Sequence, residues 1–223
     1  GRLNAPFISN KAHIPTIYEV LELSDGIVFG GKLSKEFVTY AKARGREVTD
    51  YFSNEELQLL NALPTAEGAV AIALDHLDVT IYDSTILVTG YGRIGKGLSS
   101  LLARMGAHVD VAARKASDLA KIETSFLSPQ ALSKETLAHF VRKEYDVVFN
   151  TVPQILFDAE VLKNASKKTL YIDLASSPGG FDFSAAELYD INVLKALSLP
   201  GKYFPRTAGR IIGKTILKFL EQL

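Results

Sequence analysis

Apolar positions along this chain switch repeatedly between the spacing of strands and the spacing of helices. Ile86-Leu87-Val88 is an unbroken apolar run, as a parallel strand buried on both faces requires, and Leu98, Leu101, Leu102 and Met105 then recur at helical intervals. Ala107 to Ala113 alternates and predicts a second strand. The pattern continues with a helix over 129–142, a strand over 146–150, a short helix over 157–164, a strand over 169–174, a helical turn over 184–188 and a last strand over 192–195. Ile211, Ile212, Ile216, Leu217 and Leu220 predict a closing amphipathic helix over 207–223. Upstream, the spacing predicts strands over 26–31 and 47–52, a helix over 34–44 capped by Ser34, a short helix over 54–61, and a helix opened by Pro64 that runs through Leu77. Strands separated by helices predict a doubly wound parallel sheet of the α/β class.

The turn after the first long apolar run carries chemistry. Gly90, Gly92 and Gly95 stand at G-x-G-x-x-G spacing between a predicted strand and a predicted helix, with another strand following. Gly90 permits the tight turn, Gly92 lets a pyrophosphate approach the backbone, and Gly95 lets helix and strand pack closely. The loop Gly90-Tyr91-Gly92-Arg93-Ile94-Gly95 therefore predicts a dinucleotide site, with the pyrophosphate on free N–H groups at the positive end of a helix dipole. This makes residues 81–223 a Rossmann-type domain, 64–80 a linker helix, and 1–63 a smaller α/β segment expected to be the tail of a domain whose start is absent.

The second strand bears on which dinucleotide binds. An NAD site wants an acid about 20 residues after the glycines to accept from the ribose 2′-OH, and Asp110 lies inside the strand, too early for that task. At the strand end stand Arg114 and Lys115, with Ser117 close by. A guanidinium, an ammonium and a hydroxyl suit a 2′-phosphate, so the reading is NADP, with NAD possible. The alternative is a solvated basic turn.

Composition narrows the field. Lysine plus arginine and aspartate plus glutamate number 25 each, so the net charge is zero and gives no electrostatic footprint for nucleic acid or an anionic membrane. The absence of cysteine excludes disulfides and thiolate metal sites, and His13, His76, His108 and His139 show no ligand spacing, so no metal is expected. No run approaches the ~20 apolar residues of a membrane span, and there is no signal-peptide pattern. A soluble, intracellular protein is expected.

Ligands on such sheets bind beyond the carboxyl ends of the strands. Asn150-Thr151-Val152-Pro153 is expected to pass the nicotinamide side of the cofactor, or else to be a polar strand cap and turn. Asp173 to Gly180 ends the next strand with the hydroxyls of Ser176 and Ser177 and a flexible turn. Pro200 to Gly209 delivers Arg206 to a helix N-terminus, a combination that favours a carboxylate. Alternatively, Thr207 is only a helix cap and Arg206 a surface residue.

The glycine loop, Arg114 to Ser117, Asn150 to Pro153, Ile172-Asp-Leu-Ala-Ser-Ser-Pro-Gly-Gly-Phe-Asp-Phe183 and Leu199-Pro-Gly-Lys-Tyr-Phe-Pro-Arg-Thr-Ala-Gly209 together resemble the dipicolinate synthase A-subunit family. Leu63 to Gly68 and Asp75 to Thr80 are similar to that family's linker helix, and the resemblance covers roughly residues 26–223. Arg206 stands where the family usually has Lys, which keeps the charge. The family also has a further N-terminal α/β segment, hence the expectation that the first domain here is truncated.

The resemblance implies an oxidoreductase that makes dipicolinate in the mother-cell cytoplasm of endospore-forming bacteria. Its substrate would be a dihydro- or hydroxytetrahydrodipicolinate, and its partner the flavoprotein-like B subunit of dipicolinate synthase. Thr65, Ser176, Ser177, Arg206 and Thr207 are then the candidate substrate ligands, and Glu67 the candidate general base. The alternative, which the residue's position favours, is that Glu67 is a first-turn acid satisfying a helix dipole. A shikimate- or 2-hydroxyacid-type dehydrogenase is the alternative enzyme. The absence of histidine after His139 counts against the 2-hydroxyacid type. A non-catalytic NADP-binding subunit is the alternative from another class.

Overall fold

The computed structural model describes residues 15–222. Contacts divide the chain into two compact units, one comprising the described residues up to Gln58 with those from Gly209 onward, the other Leu59–Ala208.

In the first unit, α1 (Ile17–Leu23), β1 (Val28–Gly30), α2 (Lys35–Ala43) and β2 (Val48–Asp50) bury Leu21, Phe37 and Ala41, and the two strands pair in parallel. Ser34 caps α2 as expected, its hydroxyl accepting from the Phe37 amide at 3.2 Å. Sequence periodicity does not announce α1, a seven-residue helix held by a capping box between Thr16 and Glu19. A 3₁₀ turn over Tyr51–Ser53 takes the end of the expected second strand.

The two helices expected on either side of Pro64 are one, α3 (Glu55–His76). Burial of Ala62, Ala66, Ala69, Val70 and Ala73 offsets the hydrogen bond that Pro64 cannot make. Split at Pro64, no segment reaches membrane length. As one helix of 22 residues, α3 does so by length and composition, with 44% of its most apolar window buried inside the protein.

The second unit carries the sheet. Its elements are β3 (Thr85–Thr89), α4 (Arg93–Arg104), β4 (His108–Ala113), α5 (Ala116–Thr124), β5 (Ser128–Ala131), α6 (Lys134–Phe140), β6 (Val147–Asn150), α7 (Ala159–Leu162), β7 (Leu170–Asp173), α8 (Phe183–Leu188), β8 (Val193–Lys195) and α9 (Leu199–Tyr203). α10 (Pro205–Leu220) follows and, like α3, contributes to both units. All six strands are parallel, in the order β5-β4-β3-β6-β7-β8. Alternate residues feed opposite faces. Ile86, Val88, Val109, Val111, Val147 and Phe149 pack with α3 and α4, while Leu87, Val148 and Tyr171 pack with α6, α7 and α8. This is the doubly wound Rossmann-type sheet expected from the sequence.

Two local readings are corrected. Residues 128–131 form edge strand β5 rather than the start of a helix, because an edge position tolerates Pro129 and its missing N–H. The following helix begins only at Lys134, behind a Ser133 capping box. The last helix begins at Pro205, whose fixed φ suits a first helical position, so Arg206 and Thr207 sit inside its first turn and Thr207 is not a cap.

Asp110 has a structural role. It accepts from Tyr145 Oη at 2.6 Å and Lys143 Nζ at 2.9 Å. Burial pushes its pKa up, but hydrogen bonds from Ser128, Tyr145 and Lys143 outweigh this and hold it below the usual carboxylate range.

Helix α4 lies against the turn after β3 through bare backbone. A Cβ on Gly95 would collide with the Gly90 carbonyl, whereas one on Gly97 would meet nothing within 4 Å. Gly95→Ala is therefore expected to lower stability in urea unfolding by about 1–3 kcal/mol. Gly97→Ala should be neutral or stabilising by up to ~1 kcal/mol.

Candidate functional site

The sheet order reverses between β3 and β6, and ligands on open α/β sheets occupy the crevice outside such a point. Gly90 leaves β3 at φ +96, and Gly92 is the N-cap of α4 with no side chain to satisfy the first-turn amides. A Cβ on Gly92 would point into open space, the room a pyrophosphate needs. A cavity of about 240 Å³ opens here, lined by Gly90, Tyr91, Gly92, Arg114, Lys115 and the Thr151–Pro153 loop, among others.

Eight of the cofactor residues expected from the sequence thus meet at one cavity: Gly90, Tyr91, Gly92, Arg114, Lys115, Thr151, Val152 and Pro153. Arg93 opens α4, Ile94 packs towards the core, and Gly95 supports the turn. Arg114 and Lys115 are exposed, and the Arg114 guanidinium donates to Gln154 Oε1 at 3.4 Å across the groove. Ser117 is exposed in the first turn of α5 and does not line the cavity. Asp118 does line it, one position further on, and lies 3.7 Å from Lys121. A search for an acid at the strand end itself passes over Asp118, which the first turn of α5 brings back to the rim.

Asn150 supports the wall from beneath. It is fully buried, and its Oδ1 accepts from Thr89 Oγ1 at 2.7 Å and from the Val152 amide at 3.2 Å. Its Nδ2 donates to Val152 O at 3.0 Å and to Asp173 Oδ1 at 2.8 Å. Thr151 Oγ1 donates to Thr89 O at 2.9 Å. Asn150 thus shapes the loop without being presented to a ligand.

The candidate substrate residues are less united. Thr65 is buried, and its hydroxyl donates to Asn61 O within α3, so it is not offered to a ligand. Glu67, Ser176, Ser177, Arg206 and Thr207 are exposed, and their side chains make no hydrogen bond or ion pair among the described residues. Gly68 packs on Leu199 at the start of α9, where an added Cβ would lie 3.0 Å from that side chain. His13 lies outside the described residues.

No protein-family model matches the chain. It is 35% identical over 197 residues to the dipicolinate synthase A subunit of Bacillus subtilis (strain 168), an alignment covering 88% of this chain and 65% of that protein. The crystal structure of the dipicolinate synthase A subunit from Bacillus halodurans superposes with a TM-score of 0.86 at 32% identity, over 96% of this chain and 73% of that one. The chain belongs to the dipicolinate synthase A-subunit family. It spans just under two thirds of the length of the Bacillus subtilis relative. A transhydrogenase from Sinorhizobium meliloti shares the fold, with a TM-score of 0.74 at 16% identity over 88% of this chain and 68% of that one.

If the glycine loop receives a pyrophosphate, Gly92→Val should abolish dinucleotide binding measured by calorimetry. The thermal midpoint should stay nearly unchanged, because the new side chain enters open space. A folded variant that binds NADP normally would move the site elsewhere.

Proposed function

We propose that the chain is the dinucleotide-dependent part of a dipicolinate synthase, oxidising a dihydrodipicolinate-type or hydroxytetrahydrodipicolinate ring to dipicolinate with hydride transfer to NADP. The observation that carries this reading is the single cavity shared by the glycine loop, the Arg114–Lys115 strand end and the Thr151–Pro153 wall, in a chain of this family. The residues fit the cofactor. Open backbone at Gly92 meets the pyrophosphate, and two cations meet a 2′-phosphate. Asp118 on the cavity rim favours a free 2′-hydroxyl, and Lys121 beside it screens its charge.

When bound, NADP supplies the hydride acceptor. Oxidation of the dihydro ring removes one hydride and one proton. The hydroxytetrahydro form also loses water, and aromatisation drives both. The protein's work is orientation of a dianion, which rigid clamps on two carboxylates achieve. Arg206 stands in the first turn of α10, where no acid offsets its charge or the helix dipole, so the two together favour a carboxylate. Ser176 and Ser177, free after β7, are the proposed second clamp, and exposed Glu67 is the proposed base for the ring proton. The family's designation as an A subunit implies a partner, which we take to be a flavoprotein-like B subunit, and the reading places both in the mother-cell cytoplasm during sporulation.

The direct test is turnover of freshly made dihydrodipicolinate synthase product with NADP and with NAD, in the presence and absence of the B subunit. Dipicolinate formation with NADP supports the reading. Tight NADP binding without turnover under any of these conditions would make the chain a non-catalytic dinucleotide-binding subunit.

Calorimetry should show NADP binding more tightly than NAD, with Arg114→Ala removing most of the difference, a loss of roughly 1.5–3 kcal/mol. Equal affinities in the unmutated protein would contradict the assignment. Arg206→Ala should lower kcat/KM for the substrate at least ~10-fold, about 1.4 kcal/mol, with Arg206→Lys milder and NADP affinity nearly unchanged in both. Weakened NADP with intact substrate kinetics would move Arg206 to the cofactor site.

A further inference from the structure

Asp173 ends β7 as a fully buried carboxylate, and among the described residues no cation pairs with it. Lys195, its register partner on β8, places its ammonium over the Phe183 ring instead. What Asp173 has is N–H donors. Oδ1 accepts from Asn150 Nδ2 at 2.8 Å and from the Ala175 amide at 3.2 Å, and Oδ2 accepts from the Gly180 amide at 3.0 Å. A buried carboxylate is tolerated only when such donors surround it.

The donors belong to two different loops. Asn150 carries the cofactor wall through Val152, whereas Ala175 and Gly180 bracket the loop that presents Ser176 and Ser177. Beyond Asp173 the connection closes on itself. The Gly180 carbonyl accepts from the Leu156 and Phe157 amides at 2.9 Å each, so the segment after β7 is tied back to the segment after β6. The loop glycines leave no slack. A Cβ on Gly180 would collide with Asn150 Nδ2, and one on Gly179, at φ +88, would lie 2.8 Å from Asp173 Oδ2.

We infer that Asp173 is a positioning residue that locks the Thr151–Pro153 wall and the Ser176–Gly180 loop into one rigid piece, so that occupation of the cofactor groove fixes the loop that receives the substrate. Its connection to substrate rests on the proposed function; its mechanical part does not. Asp173→Asn preserves size but cannot preserve the pattern, because either amide orientation turns an N–H₂ towards an incoming N–H donor.

Amide hydrogen exchange of the ligand-free protein tests the lock. Asp173→Asn should accelerate exchange at least tenfold at Ala175 and Gly180, which it touches, and also at Val152, Leu156 and Phe157, which it does not, while Leu87 and Val88 in β3 keep their protection. Gly180→Ala breaks the same circuit from the loop side and should give the same pattern should Asp173→Asn fail to fold. Acceleration confined to Ala175 and Gly180 would overturn the inference. A second readout is cooperativity. Pyridine-2,6-dicarboxylate should tighten NADP binding at least tenfold in the unmutated protein and less than threefold in the variants. Cooperativity surviving in the variants would also overturn the inference. Should the dicarboxylate not bind the unmutated protein, the substrate reading falls, and the exchange pattern still decides the role of Asp173.

Discussion

The approach of α4 to the turn after β3, with Gly95 against the Gly90 carbonyl, is the contact on which the candidate site depends. It exists only because Gly95 carries no side chain; a Cβ on Gly90 would instead strike Thr151 and Val152. It sets the first-turn amides of α4 over the crevice between β3 and β6, and this turns a generic parallel sheet into a place where an anion is stabilised. The rest of the groove is built around that geometry. β4 brings two cations to one side, and β6 brings a backbone wall, braced from below by Asn150, to the other.

Electrostatics then divide the groove. The positive end of α4, Arg114 and Lys115 lie on one side of the groove, whereas the buried carboxyl of Asp173 is held by amides under the opposite wall. Arg206, in the first turn of α10, is a further cation beside a helix N-terminus. The proposed reaction between a phosphorylated cofactor and a dicarboxylate would draw on both of these features.

The sheet and its glycine turn were legible in the sequence where one physical signal dominates. The glycine spacing after Ile86-Leu87-Val88 announces both the strand and the turn, and the polar strand end at Asn150 announces the wall. Signals that depend on tertiary context were not legible. Pro64 reads as a helix start until the burial around it is known, and β5 is mostly exposed at a sheet edge, so no apolar alternation marks it. Asp118 escapes notice because the turn of α5, rather than sequence distance, returns it to the cavity. The hydrogen bonds that make Asp173 a link between two loops leave no local pattern in the chain at all.

Crystals of the protein soaked with NADP would show directly where the dinucleotide lies. Pyrophosphate density is expected on the first-turn amides of α4 above Gly92, with the 2′-phosphate between Arg114 and Lys115 and the nicotinamide end against Val152 and Pro153. Density for the dinucleotide elsewhere on the molecule, or a 2′-phosphate turned away from Arg114 and Lys115, would contradict it.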